Sequence, residues 1–225
     1  MNNKIYSVFD IIGPKMIGPS SSHTAGAARI GRVARKISRD KIKKVSFYLH
    51  GSFASTYRGH GTDRALIAGV LGLQPNDENI SRSMEIAKEQ GMEYSFIETD
   101  LGDVHPNTVK IVLEYNDGKH SELVGSSIGG GSIKIIQING LDVEFSAEYP
   151  TLVIRHIDRP GVIAEVTKIM SHHNINIASM NVFRQHKGED AFMIIETDHV
   201  VSEKIVDEIC GLKDKIMSVY MVEAL

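Results

Sequence analysis

The residues best suited to chemistry lie near the start of the chain, in Ile17-Gly18-Pro19-Ser20-Ser21-Ser22-His23-Thr24-Ala25-Gly26. Four side-chain hydroxyls, Ser20, Ser21, Ser22 and Thr24, stand beside one imidazole, between a helix-breaking Gly-Pro and a long amphipathic run. Ser and Thr are preferred helix caps, but capping uses one hydroxyl and here there are four. A loop just ahead of a helix also presents backbone N–H groups to whatever binds there. Two more polar clusters follow, Gly59-His60-Gly61-Thr62-Asp63 and His105-Pro106-Asn107-Thr108. His23, His60 and His105 thus fall in Gly- or Pro-flanked loops, and imidazole titrates near neutrality, which suits proton transfer. Each also has a structural reading: His23 orienting the serines, His60 an exposed turn residue, His105 capping a strand.

Other chemistries are disfavoured. The three histidines match no local metal motif such as His-Glu-x-x-His, so a stand-alone zinc hydrolase is a minor alternative. Ser127-Ile128-Gly129-Gly130-Gly131 lacks the Lys and Ser/Thr of a phosphate loop, which argues against nucleotide binding. Its glycines point to close backbone approach. The single cysteine, Cys210, lies at helical spacing with Ile205, Val206 and Ile209 and reads as a buried thiol. One thiol excludes an internal disulfide and a self-contained all-cysteine iron–sulfur site, which needs about four thiolates. A net charge of -3 offers no broad attraction for nucleic acid or anionic membrane. No signal-peptide pattern or apolar run of roughly 20 residues is visible, so the expectation is a cytoplasmic protein.

The elements that must position these residues follow from periodicity. Ser7–Ile12 and Thr24–Ser38 read as helices, the latter with Ala27, Ile30, Val33, Ala34 and Ile37 on one face. Val45–Leu49 reads as a strand ending at His50-Gly51-Ser52. A helix opens after Gly61 and runs to Leu71, and Ser81–Glu89 is a further helix. Strands follow at 94–98, 108–115, 122–128, 133–138 and 141–145, with Asn116-Asp117-Gly118 as a hairpin turn. From Thr151 the order is strand, helix, strand, strand, helix, strand, a ferredoxin-like βαββαβ unit. The fold class is α+β: a mixed α/β domain over 1–147 followed by a ferredoxin-like domain over 148–225.

The C-terminal segment resembles an ACT domain, through Asp158-Arg159-Pro160-Gly161-Val162-Ile163 and Asn174-Ile175-Asn176-Ile177 separated by one helix. That resemblance implies self-pairing and an amino-acid effector site, with Asp158, Pro160, Gly161, Val162, Ile163 and Asn176 around it. The N-terminal portion resembles the β portion of the iron–sulfur-dependent L-serine dehydratase family. The match rests on Ser7-Val8-Phe9-Asp10-Ile11-Ile12-Gly13-Pro14 running into Gly18–Thr24, then Gly59–Asp63, His105–Thr108 and Ser127–Gly131. The resemblance implies a domain akin to the allosteric substrate-binding domain of some phosphoglycerate dehydrogenases.

It also implies a lyase of amino-acid degradation and gluconeogenesis that converts L-serine to pyruvate and ammonia. The cysteine-bearing half of the single-chain members is absent here. The chain therefore resembles the β subunit of the two-subunit form, with a 4Fe-4S cluster held by a partner α subunit and no metal ligands of its own. Dehydration removes the α-proton and expels hydroxide, so it needs a base, a Lewis acid such as an iron of that cluster, and donors for the carboxylate. By resemblance His23 and His60 are catalytic. Ser21, Ser22, Thr24, Thr62, His105, Asn107 and Thr108 contact the substrate carboxylate or amine, and Asp63 orients the amine. The alternative is a non-catalytic, amino-acid-sensing regulatory subunit.

Overall fold

The computed structural model describes residues 20–38 and 41–225; the Ser7–Ile12 helix lies outside the described residues. Contacts divide the chain into two compact units, the first ending at Lys134 and the second spanning Ile135–Leu225.

In the first unit a π-helical turn, Ser22–Gly26, leads into α1, Ala27–Ile37. It is closed by Gly26 N–H donating to Ser21 O at 3.0 Å, beside an ordinary helical bond from Thr24 N to Ser20 O at 3.1 Å. The serine–histidine stretch is therefore helical rather than a loop, and these two N–H groups are already paired. The chain continues through β1 (Ile42–Leu49), α2 (Gly51–His60), α3 (Thr62–Val70), a 3₁₀ turn (Glu78–Arg82), α4 (Ser83–Glu89), β2 (Glu93–Glu98), β3 (Thr108–Tyr115) and β4 (His120–Gly129). The sheet order is β2-β1-β3-β4, with β5 (Ser132–Ile138) next and beginning in this unit. β1 and β2 are parallel, as the helical crossover between them requires, and β1–β3 and β3–β4 are antiparallel.

Strict alternation sends Val45, Phe47 and Leu49 of β1 and Val109, Ile111 and Leu113 of β3 inward, each at most 1% exposed. Lys110, Val112 and Glu114 take the other face. On the inner face, α1 crosses α3 at a distance set by two glycines. A Cβ on Gly69 would lie 2.1 Å from Ala28 O, and one on Gly31 2.6 Å from Leu66 O. No residue with a side chain fits either place.

One helix departs from sequence expectation. Gly51–Ser52 and Gly59–His60 are the two ends of α2, with Phe53 and Tyr57 as its buried stripe. His60 is thus the last helical residue and not a turn residue. Gly61, at φ +74°, is both the C-cap of α2 and the N-cap of α3, so one left-handed residue turns the chain from one helix into the next. The strand expected at 122–128 extends to Gly129, and Gly130-Gly131 form the turn into β5.

In the second unit β6 (Leu141–Phe145) precedes β7 (Thr151–Ile157), α5 (Val162–His172), β8 (Ile177–Arg184), β9 (Asp190–Thr197), α6 (Glu203–Cys210) and β10 (Ile216–Val222). The four strands β10-β7-β9-β8 are all antiparallel in their pairing, with helices crossing between β7 and β8 and between β9 and β10. This is the βαββαβ order read from the sequence. Leu152, Ile154, Met193 and Ile195 face Val162, Val166, Met170, Ile205 and Ile209 of the helices in one core. The opposite face carries Val153, Phe192 and Ile194, also buried. There β6 packs against β8 and β9, and Gln185 Nε2 donates to Gly140 O at 2.8 Å. The contact division after Lys134 falls ahead of the boundary read near residue 148, because β6 packs with the second unit.

Candidate active site

The π-helical turn aims His23 into the first unit, where it is 7% exposed and held on four sides. Its Nδ1 lies 3.1 Å from Ser20 Oγ and its Nε2 3.1 Å from Ser52 Oγ. The Phe53 ring meets it edge-on at 5.3 Å, and the His60 ring at 4.7 Å with an interplanar angle of 87°. Burial holds the His23 pKa below the ordinary imidazole value; the neighbouring His60 adds to this and a hydrogen bond to Ser52 opposes it. His23 is accordingly neutral at physiological pH, with one N–H and one lone pair.

His60 reaches this place because α2 ends on it, and its Nδ1 is buried without a hydrogen bond. Beyond Gly61 follow Thr62, fully buried with Oγ1 unpaired, and Asp63, 9% exposed. Burial pushes the Asp63 carboxyl up from its usual range, while the Arg64 N–H at 2.8 Å and the nearby Arg64 and Arg58 charges pull it back. The end of β4 closes on the same turn. Ser127 is fully buried with Oγ unpaired, and a Cβ on Gly26 would lie 2.1 Å from it. Unpaired buried hydroxyls are uncommon in folded proteins and mark groups left for a ligand or water to satisfy. The glycines of 129–131 are not explained by close approach: a Cβ on Gly129 or Gly130 would meet nothing within 4 Å. It is the left-handed backbone, φ +118°, +59° and +85°, that calls for glycine, while Gly131 O accepts from Arg29 Nη1 at 2.7 Å.

The remaining residues are placed less directly. Ser21 and Ser22 are half-buried in the turn, and Thr24 Oγ1 donates to Ser20 O at 2.8 Å. His105 is exposed, with Nδ1 accepting from Asn107 N at 3.1 Å. Thr108 Oγ1 is committed to His105 O at 2.5 Å and Ser126 Oγ at 2.7 Å, and Asn107 O accepts from Ser127 N at 2.9 Å. The structure thus brings His23 against His60, with Thr62 and Asp63 following directly at the start of α3, sets Ser127 against Gly26 of the same turn, and leaves the His105 ring at the surface. It adds Ser52, which sequence reasoning missed because Gly51-Ser52 read as the end of a strand.

In the second unit Asp158 Oδ2 accepts from Arg184 Nη1 at 2.6 Å and Gly188 N at 3.2 Å, and these bonds hold its carboxyl below the usual range. Pro160 and Gly161 are exposed and Ile163 is 40% exposed, but the Val162 side chain is fully buried. Asn176 Nδ2 donates to Asp198 at 2.8 Å. Among the described residues no group of three or more His, Cys, Asp or Glu is placed to hold a metal ion. Burial pushes the thiol pKa of the one cysteine, Cys210, up, opposite to what a thiolate ligand needs. The donor set of this chain does not fit an iron–sulfur cluster. No helix among the described residues is long and apolar enough to cross a membrane.

The family model described as serine dehydratase beta chain matches residues 7–95, and that described as ACT domain matches residues 151–214. Together they define the class: a serine dehydratase β-type domain joined to an ACT domain. The chain is 44% identical over 209 residues to the L-serine dehydratase, beta chain, of Peptoniphilus asaccharolyticus, covering 92% of this chain and 94% of that one. It is 45% identical over 213 residues to a β-chain relative from Bacillus subtilis (strain 168), covering 95% and 96%. The chain belongs to the L-serine dehydratase β-chain family. A more distant likeness, 28% over 211 residues, is to the D-3-phosphoglycerate dehydrogenase of Methanocaldococcus jannaschii, covering 90% of this chain and 39% of that protein.

Proposed function

We propose that this chain is the β subunit of a cytoplasmic L-serine ammonia-lyase, and that its histidine pair forms one wall of a composite active site completed by a cysteine-bearing α subunit. The observation that carries this is the perpendicular contact of His23 and His60 beside two buried, unpaired hydroxyls. The reaction needs a neutral base at physiological pH, and burial keeps His23 in that state. Thr62 and Ser127 supply donors for a carboxylate, and Asp63 supplies a counter-charge for an amine. Ser22 and Thr24 lie in the same turn as His23 and Ser21 precedes it, while Asn107 is tied to Ser127 through its carbonyl. Thr108 acts by fixing the loop that carries His105 and Asn107, since its own hydroxyl is fully engaged. The 4Fe-4S cluster expected for the family would take its thiolates from the α subunit. The exposed Pro160–Gly161 turn, with Asp158, Ile163, the Val162 backbone and Asn176 around it, is the place on the second unit for an amino-acid effector.

Reconstitution with the α subunit and measurement of pyruvate release from L-serine tests the reading. His23→Ala and His60→Ala should each abolish most turnover, and the purified chain alone should show none. Full turnover in both variants, with serine binding confined to the second unit, would instead make this a regulatory subunit.

A further inference from the structure

We propose that Ser52 is a positioning residue of this site: its hydroxyl holds the Nε2 of His23, and its backbone amide ties that contact to the loop carrying Asn107. The proposal rests on reading the histidine pair as half of a serine-dehydrating centre.

Three observations converge on this one residue. First, a neutral imidazole has one donor and one acceptor nitrogen, and both nitrogens of His23 face hydroxyls, Ser20 on one side and Ser52 on the other. A hydroxyl both donates and accepts, so either tautomer is satisfied, and both serines must rotate when the ring proton changes sides. Ser52 is therefore the group whose hydroxyl orientation sets whether Nε2 offers a lone pair. Second, Ser52 does not float. Its N–H donates to Pro106 O at 2.8 Å, the Phe53 N–H reaches the same carbonyl at 3.4 Å, and its own carbonyl accepts from Thr56 Oγ1 at 2.6 Å. The Pro106 carbonyl thus serves as the N-terminal cap of α2, from more than 50 residues away in sequence. Third, the loop that supplies this carbonyl is pinned in turn. Thr108 Oγ1 grips His105 O and Ser126 Oγ, and Asn107 O receives Ser127 N. The path His23–Ser52–Pro106–Asn107–Ser127 returns to the π-helical turn through the contact of Ser127 with Gly26. It closes a ring in which a shift of the loop moves the partner of the base.

The test uses Ser52→Ala and Ser52→Thr in the full chain, with and without the α subunit. In the free chain, imidazole ¹⁵N resonances of His23 should move in Ser52→Ala and return in Ser52→Thr, while those of His173 in the second unit stay fixed. In the complex, Ser52→Ala should lower kcat for L-serine by about tenfold or more with KM little changed, and Ser52→Thr should recover it. Unmoved His23 resonances, or wild-type kcat in Ser52→Ala, overturn the proposal. Comparison with His23→Ala separates the two readings. Activity lost in His23→Ala but kept in Ser52→Ala sinks the role of Ser52 alone; activity kept in both sinks the composite site as well.

Discussion

His23 and His60 meet edge to face, ring centroids 4.7 Å apart, although they come from different helices and 37 positions separate them in the chain. The contact places two titratable rings where both cannot easily be charged. Burial and His60 lower the His23 pKa in the folded state below 6.5, while the unfolded chain titrates at the ordinary value. Below about pH 6.5 the unfolded chain therefore binds a proton at this position that the folded chain does not. Stability is full above that pH and falls as pH drops toward the lowered folded value. Urea midpoints measured between about pH 7.5 and 5 should show this loss, and His23→Gln should flatten the slope. An identical slope in the variant would place the pH dependence elsewhere.

Asp63 has the opposite sign. Its folded pKa is raised by burial, so the folded chain holds a proton that the unfolded chain has already lost. This position costs stability as pH rises through the ordinary carboxylate value of 3.8. Asp63→Asn keeps an oxygen for the Arg64 N–H and removes that cost, so it should be at least as stable as wild type at pH 7. In the complex it should turn over L-serine more slowly. A variant both unstable and fully active would contradict the placement.

Thr62 offers the cleanest separation of ligand binding from folding. Its Oγ1 is buried and unpaired, so exchanging it for a methyl group forfeits no hydrogen bond within the chain. Thr62→Val should leave stability unchanged or raise it by about 1 kcal/mol. In the reconstituted enzyme it should lower kcat/KM for L-serine. Calorimetric unfolding and steady-state kinetics on one preparation read both effects.

The start of α2 tolerates no side chain at Gly51. The residue sits at φ +54°, and a Cβ would lie 2.7 Å from Pro106 O and 2.9 Å from Pro106 Cα. Gly51→Ala should destabilise the chain by about 1–3 kcal/mol. It should also weaken the His23–Ser52 contact, seen as a change in the His23 ring resonances. Retention of wild-type stability would mean that the loop moves freely away from the helix.

These positions show what the sequence discloses and what it hides. The strands were legible because Val109, Ile111 and Leu113 alternate with Lys110, Val112 and Glu114, a period that only a two-faced sheet satisfies. The βαββαβ order was legible for the same reason, from short runs such as Thr151–Ile157 and Ile216–Val222. α2 was not. Gly51-Ser52-Phe53-Ala54-Ser55-Thr56-Tyr57-Arg58-Gly59-His60 has two glycines and three Ser or Thr residues, and local propensity argues against a helix. What decides it is non-local: the Pro106 carbonyl caps its start, and Phe53 and Tyr57 bury one stripe. Because α2 was hidden, Ser52 was hidden with it. His23, His60, Thr62 and Asp63 could be named from residue type together with the family resemblance, whereas the meeting of His23 with His60 on a π-helical turn could not.

The double cap at Gly61 has an electrostatic consequence. The carbonyl end of α2 and the amide end of α3 abut across a single residue, so the negative pole of one helix and the positive pole of the other lie side by side. Arg58 stands in the last turn before this junction and Asp63 in the first turn after it, each at the pole of opposite sign. The local potential therefore changes sign across this junction. That gradient is built from backbone dipoles, so exchanging a side chain on either flank removes one charge and leaves the gradient in place.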